Sequence, residues 1–327
     1  MPGKRSPRGK RDPYWELQWR EDPNFFPALK FSTQKRYRLT LTNHLVPAFG
    51  QARLADIGTL EIQRFVLAKM HSGLSWEYAD HFRNLLSRLF ETAKKWGYHS
   101  GFNPAAGVEL PEKKPVREKH IVELGQVPGL LNALKEPVRT MVQLALLTGL
   151  RIGEILALDW ASIDLAAGSI RVTRAFYQGA MGTPKTKCSR RSVPLPEGLK
   201  LVLSRLRLKA ANPQELIFPT SNGTPFNDSN LLHRDLKPAG RKLGMPWLNW
   251  HTLRRTHATL FQVAGGSLRD AQAQLGHSKM STTLEVYTLP IPEQQRTVVE
   301  KLAGLMASDG KNDQNPDGLP LASQQIQ

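Results

Sequence analysis

The chain has 327 residues, 40% of them hydrophobic, which is enough for two domains with a core in each. Against 28 acidic residues stand 45 Lys and Arg, a formal charge of +17 that points to a polyanionic partner and makes nucleic acid the first candidate. The single cysteine, Cys188, excludes an internal disulfide and a cysteine-rich metal site, and no apolar run is long enough for a signal peptide core or a membrane span.

Residues 1–31 are basic and contain proline, with Lys4, Arg5, Arg8, Lys10 and Arg11 and no acid among the first eleven; they read as a flexible arm able to touch phosphates or simply to be solvated. Residues 32–110 read as an all-helical domain. Ser32 or Thr33 can cap a helix with Tyr37, Leu41 and Leu45 inward, stopped by Pro47, and Thr59 can cap a second. The third is the clearest. Ser75 caps it, Ala79, Phe82, Leu86, Leu89, Ala93 and Trp96 recur at steps of three and four, and Gly97 ends it. Its other face carries His81, Arg83, Asn84, Ser87 and Arg88, a set that suits a DNA groove as well as a solvated surface. Lys35 and Arg36 on the first helix join Arg83 and Arg88 as candidate DNA contacts.

Residues 111–120, with Pro111, Pro115 and the charged run between Glu112 and His120, read as a linker to a second domain at 121–306. That domain opens with helices, the better one starting at Pro137 and ending at Gly149. The run L-R-I-G-E-I-L then puts Arg151 at the start of the next helix with Glu154 one turn on. Residues 169–195 change to strand periodicity, and the basic hairpin P-K-T-K-C-S-R-R supplies Lys185, Lys187, Arg190 and Arg191, a device for gripping a nucleic-acid backbone or a solvated loop. A helix, a short strand at 216–218 and a helix after Asn227 follow. From 307 to 327 Gly, Asn, Asp, Gln and Pro dominate, and disorder is expected.

The chemistry gathers between 251 and 287. H-T-L-R places His251 and Arg254 on one helical face, His277 follows a capping glycine, and Tyr287 ends T-L-E-V-Y in a short apolar helix at 284–289. Each feature alone serves an ordinary structural end. Together, a forked guanidinium, imidazoles and a phenol suit chemistry on a phosphate, in which a tyrosine can form a covalent phosphoryl intermediate. With a reference pKa near 10, roughly one phenol in a thousand is ionised at neutral pH, so its neighbours must stabilise the attacking charge.

With these residues in view, the chain resembles the tyrosine recombinases, the phage-integrase and Xer-type family, over about 33–305. The motifs that carry the likeness are L-L-T-G-L-R-I-G-E-I-L-A-L, the basic hairpin, H-T-L-R-R-T-H-A-T, and L-G-H-S followed by S-T-T and Y-T; P-A-A-G-V-E-L-P at 104–111 is similar to the family's exit from its core-binding domain. The resemblance implies a mainly α fold with a small β-sheet, an all-helical SAM-like core-binding domain preceding an α+β catalytic domain. It makes Tyr287 the nucleophile that becomes linked to a 3′ phosphate, Arg151 and Arg254 the clamp on the non-bridging oxygens, and Lys185, rather than Lys187, the acid for the leaving 5′ oxygen. His251 and His277 would donate to phosphate oxygens or take the phenolic proton, and Glu154 would orient the cluster from behind. No metal and no other cofactor is expected.

The implied activity is site-specific recombination that integrates or excises a mobile element or phage. Chromosome-dimer resolution, type IB topoisomerase-like relaxation and a non-catalytic architectural role are the alternatives. Double-stranded DNA is the implied partner, engaged by a homotetramer on two duplexes, with accessory directionality or DNA-bending proteins and no membrane. The implied location is the cytoplasm, on the nucleoid.

Overall fold

The computed structural model describes residues 29–113, 119–182, 190–208, 210 and 212–287. The expected arm up to residue 28, part of the linker, Lys185, Lys187 and Cys188 of the hairpin, and everything beyond Tyr287 lie outside the described residues. The chain divides into two compact units, Met1–Glu118 and Lys119–Gln327.

In the first unit, α1 (Phe31–Thr40) does not end at Pro47 as expected. A proline lacks the N–H that a helix needs and crowds the carbonyl one turn back. The chain widens into a π turn at Leu41–Leu45, in which the Val46 N–H reaches the Leu41 carbonyl, and resumes as α2 (Val46–Phe49) with Pro47 in its first turn. Helix α3 (Thr59–His71) starts after Gly58, whose N–H donates to Glu61 Oε2 at 3.1 Å. The Thr59 hydroxyl, expected to cap, instead donates to the Pro104 carbonyl at 2.9 Å and fastens the segment leaving this unit. Helix α4 (Trp76–Lys95) buries Ala79, Phe82, Leu86, Leu89 and Ala93 as the spacing predicts, with Leu85 and Phe90 widening the stripe, while Trp96 stays partly outside. The core is closed by rings: Phe65 lies 5.1 Å from Phe49 and 5.5 Å from Phe82, centroid to centroid.

The second unit is built on α5 (Val127–Asn132), α6 (Val138–Thr148) and α7 (Ile152–Ile155), followed by β1 (Ile163–Asp164), β2 (Ser169–Val172), β3 (Ala175–Tyr177), β4 (Ala180–Gly182) and β5 (Arg191–Pro194). The sheet is antiparallel in the order β1-β2-β5, and β3 pairs with β4 as a separate hairpin. Ile170 faces Val193 across the β2–β5 register, and both are buried in the core. The strand expected at 216–218 is reduced to a single bridge between Leu216 and Asp159.

Helices α8 (Glu197–Arg207), α9 (Asp228–Leu231), α10 (Lys237–Lys242), α11 (Trp250–Val263), α12 (Leu268–Leu275) and α13 (Met280–Tyr287) complete the unit. A second π turn, Leu232–Leu236, again precedes a proline, Pro238 in the first turn of α10. Helix α11 packs on α6, α12 and α13, which puts the H-T-L-R segment at the centre. The apolar helix expected at 284–289 begins earlier, at Met280. Among the described residues, no helix is long and apolar enough to cross a membrane.

Candidate active site

Helix α6 ends at Gly149, whose φ of +67° is left-handed. A side chain there would also collide with its surroundings: a Cβ would sit 2.5 Å from His257 Cδ2 and 2.9 Å from Leu275 Cδ2. The turn delivers Arg151 to the N-cap of α7. Its N–H donates to Glu154 Oε2 at 2.9 Å and its Nη1 to Glu154 Oε1 at 2.9 Å, so Glu154 closes the helix start and holds the arginine with one carboxylate. The Arg151 side chain remains 37% exposed while that of Glu154 is 3% exposed. Gly153, between them, lets the Phe176 carbonyl of β3 lie against α7; a Cβ would come within 2.5 Å of that oxygen. The β3–β4 hairpin, which leads into the basic segment, is thereby seated on the helix that starts at Arg151.

Arg254 is buried in α11. Its Nη1 donates to the Gly149 carbonyl, and its Nη2 donates to the Leu275 carbonyl and, at 3.0 Å, to His277 Nε2. Burial and the nearby Arg151 push its pKa down to about 9, which leaves it charged at neutral pH. A guanidinium can only donate, so His277 Nε2 is an acceptor here and the ring proton sits on Nδ1, donating to Thr283 Oγ1 at 3.0 Å. Burial and the surrounding guanidiniums of Arg254, Arg151 and Arg191 pull the His277 pKa down to about 4. It is a neutral imidazole at pH 7. Its backbone follows Gly276, the left-handed cap of α12, at φ +63°.

Arg190 and Arg191 were both expected on a DNA-gripping hairpin. Arg190 is exposed, whereas Arg191 is turned inward with a side chain 6% exposed. Its Nη1 and Nη2 donate to Glu154 Oε1 and Oε2 at 3.1 and 3.0 Å, and its Nε donates to the Gln274 carbonyl at 2.7 Å. Burial would raise the Glu154 pKa, but the bonds and charge of Arg191, with Arg151 beside it, hold it below the usual carboxylate range. The sequence signal was available: Arg191, Val193 and Leu195 alternate, and a strand that buries the last two buries the first.

The structure thus brings Arg151, Glu154, Arg254 and His277 together and adds Arg191 and Thr283. His251 lies exposed in the first turn of α11, one turn before Arg254, beyond Asn249, whose side chain accepts from Thr252 N at 3.0 Å. Tyr287 is the last residue of α13, a helix that packs on α11 and α12. In the first unit, Lys35, Arg36 and Arg88 are exposed, and Arg83 is tied to Asp80 at 2.6 Å. Among the described residues, no three His, Cys, Asp or Glu come together as metal ligands.

Residues 118–293 match the model of the phage integrase family, and residues 19–70 that of the phage integrase N-terminal SAM-like domain. The chain is 30% identical to a tyrosine recombinase XerC-like protein of Caldanaerobacter subterraneus over 85% of its own length and 78% of the relative's. It is 27% identical to the ICEBs1 integrase of Bacillus subtilis, with 87% of this chain and 78% of the relative covered. In fold it is similar to the Tn1549 transposon integrase solved with transposon right end DNA, at a TM-score of 0.71 and 19% identity over 88% of this chain and 99% of the other. A lambda integrase dimer on a core site gives a TM-score of 0.64 at 19% identity, over 84% of this chain and 76% of the other.

Proposed function

The chain belongs to the phage integrase family of tyrosine recombinases, site-specific enzymes that cleave and rejoin DNA, and from that premise we propose that it integrates or excises a mobile element by the following division of labour. The Tyr287 phenolic oxygen attacks a DNA phosphorus, the bond to the 5′ oxygen breaks, and the protein is left joined to the 3′ phosphate with a free 5′ hydroxyl. Arg151 and Arg254 bind the non-bridging oxygens, which gain charge in the pentavalent transition state. Lys185 gives its proton to the departing 5′ oxygen. His251 donates to a phosphate oxygen, and His277, an acceptor at Nε2, is suited to receive the phenolic proton once a phosphate draws Arg254 toward itself. The phosphotyrosine retains the energy of the broken ester, so a partner strand's 5′ hydroxyl can reverse the step and exchange strands without a nucleotide or a metal.

The observation that carries this reading is Arg254: a buried, charged guanidinium held by two backbone carbonyls and an imidazole, beside a partly exposed Arg151 fixed by Glu154. A cation pair so preorganised costs desolvation that a phosphate repays. Lys35, Arg36, Arg83, Arg88, Lys187 and Arg190 supply phosphate contacts along the duplex, and binding weakens steeply with salt. The working assembly is a tetramer on two duplexes at the nucleoid, with accessory proteins setting direction.

The test is a pool of nicked suicide duplexes, randomised on both sides of the nick, from which the 5′ fragment diffuses after cleavage. In EDTA the wild type accumulates a covalent adduct that becomes enriched for one sequence. Tyr287→Phe yields no adduct from the enriched duplex and still binds it. An adduct that persists in the Phe variant, or cleavage that stops in EDTA, refutes the assignment.

A further inference from the structure

Resting on that reading of the arginine and histidine cluster, we propose that Arg191 is a positioning residue: its fork clips Glu154, and through it Arg151, to the end of α12 that leads into His277. The side chain starts from a fixed point, since Arg191 is paired with Val172 in the β2–β5 register. From there one guanidinium reaches two other segments, the Glu154 carboxylate of α7 and the Gln274 carbonyl of α12. The next carbonyl, Leu275, accepts from Arg254. Two guanidiniums therefore hold consecutive carbonyls at the negative end of α12, and the chain passes from them directly into Gly276 and His277.

A buried ion pair kept for stability alone is replaceable by apolar groups at little loss. This one is shared: the same carboxylate also takes the N–H and guanidinium of Arg151, the most exposed cation of the cluster. Without the fork of Arg191, Glu154 is a buried carboxylate with Arg151 as its bonded partner; Arg254 from α11 and His277 beyond α12 are the other charged or titratable groups near it. Its proton affinity then rises, since burial is left with less to oppose it, and a protonated Glu154 no longer aims Arg151. Lysine keeps the charge but cannot make two parallel bonds.

The experiment is single-turnover adduct formation on the enriched suicide duplex by the full chain, from about pH 6 to 9, with wild type, R191M, R191K, E154Q and the double variant E154Q/R191M. We expect R191M to be slower on the order of 100-fold with duplex affinity kept within about threefold, the size typical of lost outer support for a site. Its deficit shrinks as pH rises and Glu154 ionises. R191K lies between R191M and wild type, and the double variant is no slower than E154Q and has lost the pH dependence of R191M. Losses that multiply in the double variant, or an R191M defect confined to affinity, overturn the proposal, the second by making Arg191 a DNA contact. Should R191M not fold, R191K, E154Q and the double variant E154Q/R191K decide in the same way. A wild type that makes no adduct instead removes the cleavage reading itself.

Discussion

The two units of this chain spend their interiors differently. The first is closed by Phe49, Phe65, Phe82, Phe90 and aliphatic neighbours, and its buried polar side chains are Thr40 and Asn103 among the described residues. Asn103 is a clasp: it donates to the Ser87 carbonyl at 3.1 Å and to Glu91 at 2.9 Å, tying the exit segment to α4. The second buries Glu154, Asp159, Arg254, His257 and His277. Ionised groups in an interior cost several kcal/mol each before their partners offset it. An interior that only had to be stable gains nothing from Arg254, so the second unit gives up stability for a preorganised cluster and the first does not.

Arg254→Ala breaks that comparison most severely. It leaves the Gly149 and Leu275 carbonyls without their donor and removes a cation from beside Glu154. Removing one member of a buried charged network costs about 3–5 kcal/mol of stability, and in the proposed role of Arg254 the loss of an oxyanion donor adds about 3–4 kcal/mol to the cleavage barrier. Thermal melting and single-turnover cleavage should therefore both fall. A variant that melts lower yet cleaves at the wild-type rate would show that Arg254 supports the fold only.

Phe82→Ala is the matched change in the first unit. The ring is fully buried beside Phe65 and His44, and its removal should cost about 3–5 kcal/mol of stability. Below the melting transition, cleavage of a saturating duplex should stay within about twofold of wild type, because no group of the cluster is touched. A loss of rate comparable to that of Arg254→Ala would mean that the aromatic core takes part in aiming the site.

The same contrast explains what was legible in the sequence. Helix α4 could be read to its buried positions because an apolar stripe at helical spacing is a local signal, and Gly97 and Gly149 marked helix ends because a left-handed residue favours glycine. One proline misled: Pro47 read as a stop, and the π turn before it relieves the clash that makes proline a breaker, a device repeated before Pro238. Arg151, Glu154, Arg254 and His277 were legible as types in a pattern, but not the direction in which each is held. Arg191 lies far from Gln274 in sequence and touches it only after the sheet and α12 are both in place. Thr283 was legible only as the end of the S-T-T segment, without a role; it matters because Arg254 takes the other nitrogen of His277.

The smallest effect expected is one of pH, and it isolates a residue of H-T-L-R-R-T-H-A-T to which the resemblance gave no role. His257 lies under the Gly149 turn, with Nδ1–H donating to the Leu146 carbonyl at 2.9 Å and Nε2 buried without a hydrogen-bond partner among the described residues. Burial, with Arg254 and Arg191 nearby, pulls its pKa down to about 4 from an ordinary value of 6.5. The unfolded chain therefore takes up this proton at about pH 6.5 and the folded one not until about pH 4. Stability is present in full above the higher value and is lost as the pH falls between the two. From about pH 7 to 5.5, His257 alone should cost about 1 kcal/mol. His44, His81 and His277, also lowered, add losses of the same sign, so the measurement is a difference: denaturant unfolding of wild type and H257Q at both pH values. The variant should lose less than wild type on acidification. Equal losses would mean that His257 carries its proton in the folded protein, which would put a second cation against Arg254 and leave the turn that delivers Arg151 under like-charge strain.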